Sequence, residues 1–458
     1  MSGRGDADVV VVGLGVGGEA VAGALAGAGV DVVGIENELV GGECPYWGCI
    51  PTKMMIRAAN LIAETRRVPG LAGVSSVTPD WTPVARRIRD EATDTWNDQV
   101  AVDRFTGRGG RFVRGRATIL GPREVEVAGV GVIVARRGLV VATGGAPVIP
   151  AIPGLPGTPF WTNRDAVRAE RLPTSMVVLG AGAIGTEIGQ AYSRFGVRVT
   201  IVDAASRPLP REEPEAGDLL AAVLNSEGIT LRLGRRVTAV SHSAAGFAVT
   251  LDDARVERAE ALLVATGRRP SIDADTWRRL GLAGEPGALP VDARLRVADG
   301  VWAVGDVTGH GAFTHVATYQ ADSVVRDILG RGGPDADYRA LPRVTFTDPE
   351  VGSVGLTERE ARDEGHRVVT GSAPVSAGSR GWIHKAGNSG LIKLVADPER
   401  DVLLGAMSAG PQGGEVLGAL SVAVHARVPV GVLESMIWAY PTFHRGIQDA
   451  IRDLRAHT

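Results

Sequence analysis

The chain has 458 residues, of which 44% are hydrophobic and 22% are charged, and its formal net charge is −3. These values are typical of a globular protein with several domains, and they give no support for a nucleic-acid or membrane-surface partner. Because the sequence shows neither a secretory signal pattern nor an apolar run long enough to span a membrane, we expect a cytoplasmic protein with no membrane partner.

The first elements predict a dinucleotide-binding unit. The β-branched run Val9–Val12 indicates a buried parallel strand. A Gly-x-Gly-x-x-Gly pattern and an alanine-rich helical stretch follow, and then a second strand from Val30 to Ile35 leads to Glu36. Glycines at this spacing permit a tight turn, close approach of a pyrophosphate and packing of the helix on the strand, while the acid accepts hydrogen bonds from a ribose. The three glycines are Gly13, Gly15 and Gly18.

The next stretch, GGECPYWGCIPTK, ends at Lys53 and holds both cysteines of the chain, Cys44 and Cys49. Zinc sites need a second pair of ligands and a closer spacing, and the eight histidines are scattered, so we expect no metal site. A helix predicted over residues 51–67 would place its positive N-terminal end near the thiols, and Lys53 adds charge there. The pattern therefore favours a dithiol–disulfide couple over two inert buried thiols.

A second dinucleotide-binding pattern lies between Ser175 and Asp203, again with strand, glycine fingerprint, helix and strand. Two such units indicate two dinucleotides, and the simplest pair is a bound flavin and a diffusing nicotinamide nucleotide. Two apolar strands ending in Ala-Thr-Gly support this interpretation, as does a third that ends in Gly-Asp, where the carboxylate of Asp306 can hold a sugar hydroxyl. The second set of fingerprint glycines is Gly180, Gly182 and Gly185.

The motif Gly-Gly-x-Cys44-x4-Cys49-x-Pro-x-Lys53 resembles the active-site motif of the flavin-dependent pyridine nucleotide–disulfide oxidoreductases, which include dihydrolipoamide dehydrogenase, glutathione reductase and mercuric reductase. Residues 342–361 and 390–417 resemble the C-terminal dimerisation domain of that family. The resemblance implies an α/β fold with two Rossmann-like dinucleotide-binding domains, for FAD and NAD(P), plus an α+β C-terminal dimerisation domain of a homodimer. The implied domains are residues 1–150 with 271–340 for FAD, 151–270 for NAD(P) and 341–458 for dimerisation.

The resemblance also implies roles for individual residues. Cys49 would be the sulfur nearest the flavin, and Cys44 the outer sulfur that attacks an external disulfide. Lys53 would pair with Glu187 beside the flavin. The residues implied for FAD are Gly13, Gly15, Gly18, Glu36, Gly42, Lys53, Gly115, Thr143, Gly144, Asp306, Thr314, His315 and Ala317. Those implied for the nicotinamide nucleotide are Gly180, Gly182, Gly185, Asp203, Val237 and Gly267.

The choice of electron donor is predicted from Asp203. A carboxylate at the end of the second strand accepts the 2′-hydroxyl of NADH and repels the 2′-phosphate of NADPH. We therefore expect NAD(H) to be favoured over NADP(H).

The implied function is transfer of a hydride from NAD(P)H through FAD to a Cys44–Cys49 disulfide, and from there to a small-molecule or protein disulfide. The C-terminal segment departs from the family, because Tyr440 stands where an acid–base histidine is usual and Arg445 where its orienting glutamate is usual. We predict that Tyr440 and His444 of one subunit face the dithiol of the other, and that lipoamide and glutathione disulfide are reduced slowly.

Two alternative functions stay open. One is a reductase of quinones, dyes or metal ions, and the other is a non-catalytic, redox-sensing flavoprotein. The chain has no cysteine beyond Cys44 and Cys49, so it lacks the C-terminal cysteine pair of mercuric reductases.

Trp47, between the two cysteines, is interpreted either as core packing or as an aromatic surface beside the outer sulfur.

Overall fold

The computed structural model describes residues 5–457. Within them the strands are β1 (Ala7–Val12), β2 (Val32–Glu36), β3 (Arg111–Arg114), β4 (Ala117–Gly121), β5 (Glu124–Val127), β6 (Gly131–Val141), β7 (Gly145–Pro147), β8 (Ser175–Leu179), β9 (Arg198–Asp203), β10 (Thr230–Leu233), β11 (Val237–Ser243), β12 (Gly246–Leu251), β13 (Val256–Ala259), β14 (Ala261–Val264), β15 (Arg268–Pro270), β16 (Arg296–Ala298), β17 (Val301–Ala303), β18 (Pro342–Thr345), β19 (Glu350–Gly355), β20 (Val369–Pro374), β21 (Leu391–Asp397) and β22 (Val402–Gly410).

The α-helices of the same described range are α1 (Val16–Gly27), α2 (Glu43–Tyr46), α3 (Cys49–Arg67), α4 (Thr82–Arg87), α5 (Gln99–Thr106), α6 (Asn163–Arg168), α7 (Ala183–Arg194), α8 (Pro214–Ser226), α9 (Ala274–Arg279), α10 (Thr314–Ile328), α11 (Glu358–Asp363), α12 (Ser379–His384), α13 (Gly413–His425), α14 (Val430–Ser435) and α15 (Gly446–Ala456). No helix within residues 5–457 has the length and apolarity needed to cross a membrane.

The chain divides into two compact units. The first contains the described residues up to Pro51, together with Arg86–Val148 and Gly267–Asp337. The second contains Thr52–Ala85, Ile149–Thr266 and the described residues from Tyr338 onward. The predicted division into FAD, NAD(P) and dimerisation domains, with its boundaries, stays a prediction.

The first unit is built on a sheet with the strand order β16-β17-β6-β1-β2-β3. Its central strands are parallel, and Val9 of β1 lies opposite Val32 of β2. Val9 and Val11 pack into one apolar core with α1, α5 and α10, while Val10 and Val12 pack into a second core on the other face. Burial of both faces explains why β1 is apolar without a break from Val9 to Val12.

The second unit contains one parallel sheet and two antiparallel sheets. The parallel sheet has the strand order β10-β9-β8-β14 and is joined by the small antiparallel sheet β11-β12-β13. The C-terminal sheet has the order β18-β19-β22-β21-β20, all antiparallel. Its apolar face packs against α13 and α15 through residues such as Leu394, Leu420 and Ile451.

The structure confirms the predicted fold class, an α/β protein with Rossmann-like parallel sheets and a C-terminal α+β region. The predicted strand Val9–Val12 is observed as Ala7–Val12, and the strand expected from Val30 is observed as Val32–Glu36. The helix expected from residue 51 begins at Cys49. Pro51 is therefore the third residue of α3, in the first turn, where a backbone N–H has no intrahelical partner and proline is tolerated.

Candidate active site

The loop that carries the cysteines lies against the first glycine fingerprint. Gly41 forms an isolated parallel bridge with Gly15, and a Cβ on Gly42 would lie 2.8 Å from Cα of Gly15. Gly42 also has a φ of 68°, so both the close approach and the backbone favour glycine. Cys44 then lies in α2, and Cys49 is the first residue of α3. The two sulfurs are thus presented by consecutive helical segments beside the fingerprint loop.

The two thiols differ in their surroundings. Both are free, with Cys44 partly buried and Cys49 exposed. Sγ of Cys49 lies 3.5 Å from Oγ1 of Thr314, the first residue of α10. The pKa of Cys44 is raised, chiefly because its thiol is hydrogen-bonded to Cys49 and also because it is buried. Cys44 therefore keeps its proton at neutral pH.

Cys44 lines a cavity of about 560 Å³ in the first unit. The cavity is bounded by α1, by residues 40–49, which carry both cysteines (the dithiol loop), by α5 and by the segment between α4 and α5. One ion pair crosses its wall, with Nε of Arg104 2.9 Å from Oε1 of Glu19. The volume lies within the range of small-molecule sites. Its polar or charged lining side chains include Glu19, Cys44, Tyr46, Asp94, Arg104 and Arg108.

Glu36 and Asp203 are held in the same way in the two nucleotide-binding units. Glu36 accepts hydrogen bonds from the backbone N–H of Leu14 (2.7 Å) and Glu38 (2.8 Å). Asp203 accepts from Ala181 (2.6 Å) and Ala205 (2.7 Å). In each case the donors are the residue after the first fingerprint glycine and the residue two positions after the acid. Each carboxylate oxygen keeps a lone pair for a ribose hydroxyl.

The two glycine fingerprints have the same packing. A Cβ on the first glycine would collide with a neighbouring strand end, at 2.4 Å from the carbonyl oxygen of Ala142 for Gly13 and at 2.3 Å from that of Ala265 for Gly180. A Cβ on Gly18 or Gly185 would lie 2.0 Å from the carbonyl oxygen of the first glycine. The middle glycines, Gly15 and Gly182, are the N-caps of α1 and α7.

Other residues implied for FAD lie in the first unit and fit such a ligand. The hydroxyl of Thr143 is buried and has no hydrogen-bond partner within residues 5–457, and the adjacent Gly144 has a φ of 68° with open space where a Cβ would be. Burial raises the pKa of Asp306, an effect that the nearby Arg268 guanidinium partly offsets. An unsatisfied hydroxyl, a glycine approach and a carboxylate match a polar dinucleotide with ribityl hydroxyls.

Four more FAD candidates, Gly115, Thr314, His315 and Ala317, also lie in this unit. Gly115 donates its backbone N–H to the carbonyl oxygen of Glu36 at 2.9 Å. Thr314, His315 and Ala317 form the first turn of α10, whose N-terminal end favours negative charge. The ring of His315 stacks on that of Phe313, with centroids 5.2 Å apart.

Lys53 and Glu187 come together in the second unit. Nζ of Lys53 lies 2.9 Å from Oε2 of Glu187, and 4.5 Å from the ring centroid of Phe346. The other carboxylate oxygen of Glu187 accepts a hydrogen bond from the backbone N–H of Phe346 at 2.8 Å. Lys53 lies on α3, which begins at Cys49, and Glu187 lies on α7, which follows the second glycine fingerprint.

The last two nicotinamide candidates, Val237 and Gly267, belong to different units. Val237 begins β11 in the second unit and pairs with Leu251. Gly267 belongs to the first unit, where it has a φ of 124° and its carbonyl accepts a hydrogen bond from Val148 at 2.9 Å. Their roles stay predictions.

The rings of the C-terminal candidates, Tyr440 and His444, have neighbours within the second unit. The side chain of Tyr440 is 68% exposed, and the guanidinium of Arg445 lies 5.7 Å from its ring centroid. The ring of His444 lies 6.0 Å from that of Trp438. Their predicted position beside the dithiol of a partner subunit stays a prediction.

A group of carboxylates converges on a buried lysine in the second unit. Nζ of Lys393 lies 2.9 Å from Glu213, 2.7 Å from Glu215 and 2.8 Å from Glu358. Burial by itself would lower the pKa of Lys393, but the hydrogen bonds that its ammonium donates to the three carboxylates raise that pKa above its usual value. These three glutamates have a spacing that suits a metal ion, and here the ammonium lies among them.

Two residues beside the dithiol were missed in the sequence. The ring of Trp96 stacks on that of Trp47, with centroids 5.7 Å apart and planes inclined by 19°. The carboxylate of Asp98 accepts a hydrogen bond from the backbone N–H of Val40 at 2.6 Å. Trp47 itself is only 5% exposed, as core packing requires. The sequence offered one signal for Trp96: it is a tryptophan in a chain in which aromatic residues are only 5%.

Comparison with known proteins agrees with this geometry. Residues 7–321 match the family model described as "Pyridine nucleotide-disulphide oxidoreductase", and residues 341–451 match that family's dimerisation domain. A dihydrolipoyl dehydrogenase of Thermus scotoductus is 33% identical, over 98% of this chain and 97% of that protein. A mercuric reductase of Streptomyces lividans is 32% identical, over 96% of this chain and 94% of that protein.

A solved structure is similar over the whole length as well. It is the Cu(II) complex of the HOCl-induced flavoprotein disulfide reductase RclA from Escherichia coli, with a TM-score of 0.85 and 28% identity, over 98% of this chain and 99% of that chain. Disulfide and metal-ion acceptors both fit these relatives, and the dimerisation domain fits a homodimer. The chain belongs to the pyridine nucleotide-disulphide oxidoreductase family, as an FAD-dependent, NAD(P)H-linked disulfide oxidoreductase.

Proposed function

We propose that Cys44 and Cys49 form the redox-active couple of this enzyme, with Cys44 meeting the acceptor and Cys49 receiving the electrons. The observation that supports this best is that the two sulfurs have different surroundings. Cys44 lines the cavity of about 560 Å³ and Cys49 does not, while the hydroxyl of Thr314 at the start of α10, among the residues that fit FAD, contacts both sulfurs and lies 3.5 Å from that of Cys49.

Bound FAD supplies a carrier that takes a hydride from NAD(P)H and passes an electron pair to a disulfide. The chain's own residues then carry out thiol chemistry. An electron pair and two protons break the Cys44–Cys49 bond and leave two thiols. Once deprotonated, Cys44 attacks one sulfur of the acceptor disulfide, which forms a mixed disulfide and releases one acceptor thiol. The Cys49 thiolate then attacks the sulfur of Cys44, which restores the internal disulfide and releases the second acceptor thiol.

Lys53 and Glu187 support this couple electrostatically. Lys53 is four residues after Cys49 on α3, so its ammonium adds to the positive field of the helix start. Positive charge there stabilises a thiolate. Glu187, paired with it at 2.9 Å, holds that ammonium in one position.

We propose NADH as the physiological donor. Backbone N–H groups hold both oxygens of Asp203, which supports a fixed acceptor for a 2′-hydroxyl and a fixed negative charge against a 2′-phosphate. A basic candidate for such a phosphate, Arg207, pairs with Asp218 through Nε at 2.7 Å.

For the acceptor we propose an organic disulfide. A cavity of about 560 Å³ beside Cys44 has room for one half of a small-molecule disulfide or for the side chains around a protein disulfide. A bare ion needs far less space. The second candidate is metal-ion reduction, which is favoured by the names of the mercuric reductase relative and of the Cu(II) complex. Quinones and dyes form a third class, and a cytoplasmic location stays a prediction.

An acceptor panel tests the proposal. NADH oxidation would be followed with lipoamide, glutathione disulfide, a nitrobenzoate disulfide, Cu²⁺, Hg²⁺ and menadione, for the wild type and for Cys44→Ser. We expect disulfide reduction in the wild type and its loss in the variant, while menadione, which can take electrons without the dithiol, is still reduced. Disulfide reduction at equal rates in both proteins would refute the assignment of Cys44.

A further inference from the structure

The segment between α4 and α5 has an unusual backbone. Asp94, Thr95 and Trp96 have φ values of 47°, 57° and 57°, so three successive residues other than glycine adopt the left-handed region. L-amino acids avoid that region because Cβ crowds the backbone. Such a run persists only where surrounding contacts hold it, and it occurs preferentially at functional sites.

Contacts at both ends hold this run in place. At its start, Thr93 is 1% exposed, and its hydroxyl lies 3.1 Å from the carbonyl oxygen of Arg89 and 3.4 Å from the backbone N–H of Trp96. At its end, Asp98 is 8% exposed and binds the guanidinium of Arg114 at 2.5 Å. Residues 93–98 are therefore held by local hydrogen bonds of Thr93 at the start and by the contact of Asp98 with Arg114 at the end.

The same segment contacts the dithiol loop at two points that flank Cys44. Asp98 accepts a hydrogen bond from the backbone N–H of Val40, four residues before Cys44. The ring of Trp96 stacks on that of Trp47, three residues after Cys44. Both contacts come from residues 93–98, so one segment holds the dithiol loop before and after Cys44.

Cys44 needs such support. It lies in α2, a helix of four residues, which is far too short to be stable by itself. Its sulfur must reach the acceptor first and Cys49 afterwards, and displacements near 1 Å can cost large factors in such steps. The cavity that Cys44 lines is also partly walled by residues 91–94 and 97, so the segment contacts both the loop and the space for the acceptor.

We propose that Trp96 is a positioning residue for the outer sulfur, which holds Cys44 in line for attack on the acceptor through its stack on Trp47. The inference rests on the proposed function of the cysteine pair. It predicts a specific division of effects: loss of the stack slows the exchange between dithiol and acceptor, whereas reduction of the bound flavin by NADH, which does not involve Cys44, keeps its rate.

Trp96→Leu and Trp96→Phe test this in the FAD-loaded enzyme, with Trp81→Leu as the matched control. Trp81 is buried and packs edge-on against Tyr192 and Phe195, in the second unit. Stopped-flow absorbance would follow flavin reduction by NADH, and then reoxidation of the reduced enzyme by a nitrobenzoate disulfide. Alkylation of the reduced enzyme by iodoacetamide, mapped by mass spectrometry, would report the accessibility of Cys44.

For Trp96→Leu we expect the disulfide step to slow by about tenfold or more, faster alkylation of Cys44, and flavin reduction within about twofold of the wild type. Trp96→Phe keeps an aromatic ring and should show a smaller effect in the same direction, so it serves alone if the leucine variant does not fold. A disulfide step unchanged in both variants would overturn the proposal, and so would equal slowing of both steps, because that indicates a merely structural role. A wild type that reduces no disulfide would instead refute the proposed function.

Discussion

Lys53 and Glu187 form an ion pair of 2.9 Å, in which the carboxylate side chain is only 7% exposed. Its other oxygen accepts a hydrogen bond from the backbone N–H of Phe346. For Lys53→Met we expect slower electron transfer to the cysteine pair, because the positive charge near Cys49 is lost. We also expect a loss of about 1–3 kcal/mol in the free energy of unfolding, because a buried carboxylate loses its partner. Stopped-flow absorbance and chemical denaturation measure these two effects.

Lys385→Met is the matched control for that charge, since Lys385 lies after α12 and removing its ammonium leaves the Lys53–Glu187 pair intact. We expect it to keep both the wild-type rate and the wild-type stability within about 0.5 kcal/mol. If Lys53→Met and Lys385→Met gave the same rates, the electrostatic role of Lys53 would be wrong.

The donor preference depends on the negative charge of Asp203. For Asp203→Asn we expect kcat/KM with NADH to fall and kcat/KM with NADPH to rise, because the amide no longer repels a 2′-phosphate. The ratio of the two values should narrow by about tenfold, the effect of roughly 1.4 kcal/mol. Steady-state kinetics with both nucleotides decide this, and an unchanged ratio would contradict the assignment.

Asp218→Asn tests the same donor preference through Arg207, a basic residue that could bind the 2′-phosphate of NADPH. Arg207 pairs with Asp218 at 2.7 Å, with both side chains largely exposed. Removing that carboxylate frees the guanidinium for a phosphate. We expect a lower KM for NADPH. The KM for NADH should stay within about twofold, because an exposed ion pair contributes little to stability and its loss leaves the fold intact. A parallel change in both values would indicate a general effect on the loop.

The elements that could be predicted from the sequence are those fixed by local backbone geometry. The fingerprint glycines precede short-range turns, and Glu36 and Asp203 end strands whose apolar runs are visible in the sequence. The contact of Asp98 with Val40 joins residues 58 positions apart, and no local pattern announces it. The start of α3 at Cys49 was missed because proline usually marks a boundary, whereas Pro51 occupies the tolerated first turn.

The pH dependence of the acceptor step follows from the thiol of Cys44. Its hydrogen bond to Cys49 and its burial raise its pKa, above the usual value of about 8.5, and only the thiolate attacks a disulfide. Reoxidation of the reduced enzyme by a disulfide should therefore accelerate steadily between about pH 6 and pH 9. Flavin reduction by NADH, measured over the same range, is the internal control. A plateau of the disulfide step below pH 7 would show that Cys44 ionises more easily than this account allows.

Stability should depend on Lys393, whose ammonium lies within 2.9 Å of three glutamates. Lys393→Met leaves these carboxylates close together without a counter-charge, which should cost about 3–5 kcal/mol in the free energy of unfolding at neutral pH. Thermal or chemical denaturation measures the loss. A variant as stable as the wild type at neutral pH would contradict this account of the cluster.

The same variant has a predicted pH dependence. Burial raises the pKa of Glu358, but in the wild type its pairing with Lys393 lowers it below the usual value, so that this stabilisation is lost as the pH falls through the lowered pKa. Without the ammonium, burial and repulsion favour protonation, which relieves the penalty. The difference between wild type and variant should therefore narrow below about pH 5. A difference that widens on acidification would contradict the sign of this effect.

The central claim is that Cys44 and Cys49 store an electron pair in addition to that held by the flavin. Anaerobic titration of the FAD-loaded enzyme with dithionite, followed by absorbance, counts these electrons directly. The account predicts uptake of about four electrons per flavin for the wild type and about two for Cys44→Ser and for Cys49→Ser. Uptake of two electrons by the wild type, equal to that of the variants, would contradict it.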